Sequence, residues 1–217
     1  MNRIPVRFTR VCDPYWNEKP VAIVGGGPSL QGFDFERLRD RFHVLAVNGS
    51  ILDLPWADAG FSLDQLAIRN WWPRFCSLDM PLHFAVPLPW LKGVDQRPTP
   101  NMSFYWRAQR NTFQRYHGQI ACGGTSGFGA LNLAWLKRAR KIILLGFDYG
   151  ARNGAWHHNE HQYHFSYRQV DAKWQQWAWN FHKAAARLQT DGVQVINASP
   201  HSRIEAFPRM TIDEALA

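Results

Sequence analysis

The sequence predicts a doubly wound α/β fold, a single mostly parallel sheet with helices on both faces. Three observations predict it. Short apolar runs rich in β-branched residues alternate with stretches of helical periodicity. One of the runs, residues 141 to 145, is apolar enough to lie at the centre of a parallel sheet covered on both sides. Glycines and polar residues gather directly after the runs, where such folds hold their ligands. The 217 residues, 46% hydrophobic and 19% charged, suit one compact domain over residues 1–217.

The elements follow in order. Val21 to Val24 is a β-branched strand that stops at Gly25-Gly26-Gly27-Pro28-Ser29, after which Leu30, Phe33 and Leu38 recur at near-helical spacing to Arg41. A second strand, His43 to Val47, ends at Asn48-Gly49, and a third, Ala59 to Leu63, ends at Asp64 before a helix carrying Trp71 and Trp72. Residues 81 to 100 are proline-rich and read as a short strand, Leu82 to Val86, and an irregular crossing. With the Arg/aromatic residues that follow, the segment at about 81–120 is expected to form a mobile, lid-like cover. Cys122 to Gly127 opens a helix with Phe128, Leu131, Leu133, Trp135 and Leu136 on it, and its basic end suits a helix C-terminus. The central strand then ends at Gly146 to Gly150; a long amphipathic helix, Asp171 to Thr190, and a strand, Val193 to Ile196, close the unit.

The net charge is +8, and from Gln96 to Phe147 there is no Asp or Glu against eight Lys and Arg. Either an anionic partner docks there, or the run is a solvated face whose acidic complement comes from other segments. The apolar runs fall far short of the roughly 20 residues of a membrane-spanning helix, and no signal-like apolar stretch follows Met1 to Arg10, so a cytoplasmic protein is expected. Three separated cysteines, Cys12, Cys76 and Cys122, without a CxxC, point to buried thiols.

Chemistry-bearing residues concentrate at strand ends. Gly25-Gly26-Gly27-Pro28-Ser29 lets backbone approach a ligand, with Ser29 near a helix start where an anion is favoured. Leu30 stands where a third dinucleotide-binding glycine belongs and no P-loop lysine follows, which disfavours a standard NAD or ATP cradle. Gly123 to Gly127 is a second glycine turn at a helix start, with hydroxyls on Thr125 and Ser126. Two such turns suggest a diphosphate or a nucleotide-linked substrate; tight turns and helix caps are the plain alternative. Asn48 suits a ribose hydroxyl or a base edge, or forms a turn. Asp64 and Asp148 can each bind a divalent ion, orient a hydroxyl or act as a base, and Asp148 can instead cap its own loop.

Residues 156 to 164 hold four histidines and a glutamate, and on a helix His157, Glu160, His161 and His164 would share a face. Their order is not that of zinc proteases and Gly150, Asn153 and Gly154 suggest a loop, which favours one histidine as general base over a metal site. Phe104, Tyr105, Trp106, Arg107, Arg110, Phe113, Arg115 and Tyr116 interleave aromatics and arginines, as a surface for single-stranded nucleic acid does, or a lid over a nucleotide. Trp174, Trp177 and Phe181 at i, i+3 and i+7 read as core.

Taken together, Gly25 to Leu30, Val47-Asn48, Thr125-Ser126-Gly127 before an alanine-rich helix, Leu145 to Tyr149, and Ala198-Ser199-Pro200-His201-Ser202 stand in an order that resembles the bacterial sialyltransferase-like clan. That clan includes the family-42 glycosyltransferases and the MptE-like (DUF115) proteins found in phage and surface-polysaccharide loci. The likeness runs from about residue 20 to the C-terminus. It implies a Rossmann-like, metal-independent transferase that uses a CMP-linked sugar as co-substrate and needs no further cofactor. By the match, Gly25, Gly26, Gly27, Pro28, Ser29, Asn48, Thr125, Ser126 and Gly127 line the nucleotide and phosphate site, with Gly146 and Tyr149 beside them, while Ser199, Pro200 and Ser202 approach the cytidine. On the same likeness His164 is expected to take the proton of the acceptor hydroxyl; Asp148 and Asp64, read from their places at strand ends, are the other catalytic candidates, and the expected acceptor is a glycan or a modified nucleic acid.

The sialyltransferases carry a pair of tyrosines after their Gly-x-Asp segment, where this chain has Gly150 and, near the second place, Trp156 or His157. Arginines of the acid-free stretch are the substitute for stabilising phosphate charge. Two other readings stand beside this one. One is an MptE-like diphosphokinase with Mg2+ held by Asp64 and Asp148; the other is a non-catalytic nucleic-acid-binding protein on the same scaffold. The oligomeric state is open.

Overall fold

The computed structural model describes residues 15–86, 98–108, 113, 118–158 and 167–217. Its sheet is parallel throughout and doubly wound. Strands β1 (Val21–Val24), β2 (His43–Val47), β3 (Ala59–Ser62), β4 (Leu82–Phe84), β5 (Met102–Phe104), β8 (Lys141–Leu145) and β9 (Gln194–Asn197) form seven neighbours in the order β5-β4-β3-β2-β1-β8-β9. β6 (Trp106–Arg107) and β7 (Gln119–Ile120) pair separately. The chain therefore leaves β1 on one side, reaches the edge at β5, and returns to lay β8 on the other side of β1. The carboxyl ends of β1 and β8 are thus the switch point where such sheets open a crevice.

The apolar strands are buried on both faces because alternate side chains serve two cores. Val21 and Ile23 of β1, Leu45 of β2 and Leu144 of β8 pack with Phe128 and Leu131 of α3 (Ser126–Leu136) and Leu188 of α5 (His182–Thr190). Ala22 and Val24, Ala46 and Leu145 pack on the other face with Ile51 of α1 (Ser50–Asp53), Trp72 and Phe75 of α2 (Gln65–Cys76) and Leu216 of α6 (Ile212–Leu216). α3 is buried nearly all round and lies across β1, β2 and β3, as its uniformly apolar sequence demands. No helix among the described residues is long and apolar enough to cross a membrane.

Several expectations need correction. The stretch after Ser29 is not a helix to Arg41 but two single 3-10 turns, Pro28–Leu30 and Phe35–Leu38, separated at Gly32, whose φ of 77° ends the first. The long last helix is two, α4 (Tyr167–Asn180) and α5, joined at Phe181, whose amide reaches back three residues to Ala178 O as its ring enters the core. The segment at about 81–120 contributes β4 to β7 among its described residues, and its residues 87–97, 109–112 and 114–117 lie outside the described residues. Among the described residues the basic run disperses. Lys137 lies over the Trp16 ring, Arg138 over Tyr15, and Arg140 and Lys141 sit at the start of β8, the end of the sheet away from the crevice.

Candidate active site at the switch point

At the carboxyl ends of the strands lies a cleft of about 500 Å³. Gly25, Gly26 and Gly27 after β1, Asn48 after β2, Asp64 after β3, Gly146 and Tyr149 after β8, and Thr125, Ser126 and Gly127 at the start of α3 all line it. The two glycine bends thus converge on one space.

They are held differently. The first bend closes on β8: Gly25 donates its amide to Leu145 O at 2.8 Å and Gly27 to Gly146 O at 2.8 Å, which extends the β1–β8 pairing past the strand ends. Ser50 Oγ donates to Gly25 O at 2.9 Å and fixes the bend from the β2 side. Ser29 sits over a three-residue turn and already has an anion: its Oγ donates to Asp148 Oδ2 at 2.7 Å and its amide to the same oxygen at 3.4 Å. Asp148 itself does not line the cleft; it is 3% exposed and packs against Gly27. Burial pushes its carboxyl above the ordinary carboxylate value, against the pull of the Ser29 bonds, and its Oδ1 has no hydrogen-bond partner among the described residues. Pro28 is buried beneath the turn.

The second bend opens on a full helix. Thr125 caps α3, its Oγ1 accepting from Phe128 N at 3.2 Å, and the Tyr149 hydroxyl bonds the same oxygen at 2.9 Å. Burial raises the Tyr149 phenol, so it stays neutral. Ser126 and Gly127 are first-turn residues whose amides have no intrahelical acceptor. Gly123 and Gly124 adopt φ of 53° and 88°, left-handed values that glycine takes without strain. α4 is tied to this bend: Asn180 Nδ2 donates to Gly123 O at 2.8 Å, and a β-carbon on Gly124 would stand 2.9 Å from the Trp177 indole.

Between the bends, Asn48 lines the cleft with a φ of 55°, and its Oδ1 accepts from Ser62 Oγ at 2.8 Å, which leaves its amide nitrogen as a donor. Asp64 is the N-cap of α2, accepting from Leu66 N at 2.9 Å and Ala67 N at 3.2 Å. Asp64 and Asp148 do not share the cleft, and no group of three metal-binding side chains occurs among the described residues. The site therefore does not fit the paired-carboxylate magnesium site of a diphosphokinase.

Ser199 and Ser202 are buried and do not line the cleft: Ser199 Oγ accepts from Phe147 N at 2.7 Å and Ser202 Oγ donates to Phe147 O, a clamp on the loop after β8, while Pro200 is exposed. His164 lies outside the described residues. His157 lines the cleft, its Nδ1 2.8 Å from where a Gly26 β-carbon would be, and the next amide, His158 N, donates to Gly26 O at 3.0 Å.

Residues outside the nucleotide-binding and catalytic sets named from the sequence also line it. Trp174 and Trp177, expected in the core, face the cleft from α4 together with Lys173, and only Phe181 is core; Trp156 stands edge-on to Trp174 at 5.0 Å. Arg107 reaches in from β6. In the rest of the aromatic–arginine stretch Phe104, Tyr105 and Phe113 are buried and Trp106 is exposed, and Arg110, Arg115 and Tyr116 lie outside the described residues.

No family model and no curated protein matches the chain. Solved structures that share its fold include two of sialyltransferases. One is the sialyltransferase CST-II in complex with trisaccharide acceptor and CMP, 16% identical with a TM-score of 0.50 over 88% of this chain and 86% of that one. The other is the sialyltransferase CstII from Campylobacter jejuni with a substrate analogue, cytidine-5'-monophosphate, 16% identical with a TM-score of 0.51 over 89% and 85%.

Proposed function

We propose that the chain is a glycosyltransferase-like protein that binds a nucleotide sugar, CMP-linked by preference, and passes the sugar to a hydroxyl of a glycan acceptor. The observation that carries this reading is the convergence of Gly25–Gly27 and Gly124–Gly127 on one cleft at the β1–β8 switch point. Its 500 Å³ lies within the roughly 300–1,000 Å³ of small-molecule sites.

In this reading the phosphate lies against the open amides of Ser126 and Gly127, since Asp148 already holds Ser29 and β8 holds the Gly25 and Gly27 amides. The Asn48 amide meets a ribose hydroxyl or a base edge, and the indoles of Trp174 and Trp177 give flat apolar faces for the rings of the guest. Transfer rests on charge stabilisation and proton removal. The base is a histidine of the loop after β8: His157 lines the cleft, and His164 is the second candidate. The fold shared with a sialyltransferase solved with CMP and a trisaccharide supports the same class of guest.

Isothermal titration with CMP, CDP, UDP and their sugars tests the reading, with EDTA present throughout. Saturable binding of at least one is expected; no binding to any removes it. Consumption of ATP that requires magnesium would favour a diphosphokinase instead.

A further inference from the structure

We propose that His158 is the positioning residue of this site: buried against α1, it seats the loop after β8 on the Gly25–Gly27 bend and so aims its neighbour His157 into the cleft. The inference rests on the nucleotide-sugar reading, in which a histidine of that loop takes the acceptor's proton, and it names what holds that histidine in place.

The loop first closes on itself. Arg152 and Ala155 exchange both backbone bonds at 2.9 Å around Asn153 and Gly154, whose φ of 50° and 78° make a two-residue hairpin turn. Two adjacent histidines then meet the bend and divide the work. His157 lines the cleft, its Nδ1 2.8 Å from where a β-carbon on Gly26 would stand, so the ring lies against bare backbone. His158 does not line the cleft. Its side chain is 6% exposed, its ring centre stands 5.6 Å from that of Phe35, and its Nε2 is 3.4 Å from Asp53 Oδ2 at the end of α1. One short helix thus holds bend and loop together: Ser50 at its start donates to Gly25 O at 2.9 Å, Asp53 at its end faces His158, and the His158 amide donates to Gly26 O at 3.0 Å.

The amide bond is open to any residue except proline, so the imidazole needs a reason of its own. Neither ring nitrogen has a hydrogen bond among the described residues, a cost that a phenyl ring beside Phe35 does not carry. What the imidazole gains is the contact with the Asp53 carboxylate, which fixes the ring at one point where apolar packing alone leaves it free to slide. His158 touches no guest; it acts through the placement of His157.

Diethyl pyrocarbonate, which acylates unprotonated imidazole nitrogen, reads that placement at residue 157 when the modified peptide is sequenced by mass spectrometry. The wild type is compared, without ligand and across the neutral pH range, with His158→Phe, which keeps a ring to pack, with His158→Gln, whose amide stands in for Nε2–H, and with His158→Ala. Melting temperatures report folding. In the wild type residue 157 reacts and residue 158 is spared. His158→Phe is expected to melt no lower than the wild type and to raise the rate at residue 157 about 10-fold, the lower end of what a lost hydrogen bond to a charged group is worth, because the contact is long. His158→Ala does the same at a lower melting temperature, and His158→Gln returns the rate and its pH profile towards the wild type. A folded His158→Phe protein with the wild-type rate at residue 157, a His158→Gln protein as reactive as His158→Phe, or reaction at residue 158 as fast as at residue 157 in the wild type overturns the assignment. Loss of folding in both the Phe and Ala variants also overturns it, by making the role structural. A wild type that binds none of CMP, CDP or UDP instead overturns the nucleotide reading, and the seat, measured without ligand, stands or falls by these rates.

Discussion

Gly27 and Asp148 are packed so closely that a β-carbon on Gly27 would lie 1.8 Å from Asp148 Oδ2. The constraint is one of space, since Gly27 has an ordinary extended backbone with φ of −65°. A buried carboxylate is held by Ser29 on one side and faces bare backbone on the other.

Gly27→Ala must therefore push the carboxylate off Ser29 or shift the bend. We expect a loss of about 2–3 kcal/mol, in the range of overpacking plus a broken charge-assisted hydrogen bond. Adding Asp148→Ala should recover only part of it, because Gly146 O stands 2.6 Å from the same β-carbon. Urea unfolding of the two single variants and the double variant measures the coupling, and strict additivity would contradict the packing.

Burial raises the Asp148 carboxyl in the folded state. The native protein then binds a proton there more readily than the unfolded chain does, so this group's contribution is fully present below the unfolded value near 4 and is lost as pH rises through the folded one. Asp148→Asn, which keeps an acceptor for Ser29, should gain stability relative to wild type across that rise and lose the advantage in acid. Unfolding free energies at pH 3.5 and pH 7.5 read the sign; an advantage that grows on acidification would contradict it.

Trp174 and Trp177 are half-buried and line the cleft, so their truncation should affect binding more than folding. Each alanine variant is expected to weaken the bound nucleotide about 10-fold, a typical worth of base stacking, with little change in melting temperature. Titration and thermal melts check this, and a large stability loss with unchanged binding would return both residues to the core.

Cys122 is pushed up to about 12 by burial, against a smaller downward pull from Arg107. At pH 8 about one thiol in ten thousand is then the reactive thiolate. Iodoacetamide followed by mass spectrometry should label the half-buried Cys76 well before Cys122 in the native protein. Prompt alkylation of Cys122 would show that the second bend opens to solvent.

The central strands were legible because a strand buried on both faces leaves an uninterrupted apolar run: β1, β2 and β8 fall where Val21, His43 and Lys141 open their runs. The two- and three-residue strands β5 to β7 carry too few positions for a period to show. Leu30, Phe33 and Leu38 imitate a helix, yet Gly32 breaks the stretch into separate turns. At the site, the glycine bends were legible, but the tasks of the polar residues around them were not. Asp148, Ser199 and Ser202 are polar residues at strand ends, and only tertiary structure shows that they bind backbone and one another's loops. Trp174 and Trp177 share their helical stripe with buried Phe181, and periodicity does not distinguish a core from a cleft wall.

Hydrogen exchange with and without saturating CMP is the most direct measurement of the central claim. Amides at Gly25–Gly27 and at Gly124–Gly127 should both gain protection on addition of the nucleotide, and at the same ligand concentration. Protection of one segment without the other, or of neither, would contradict a single guest held between the two bends.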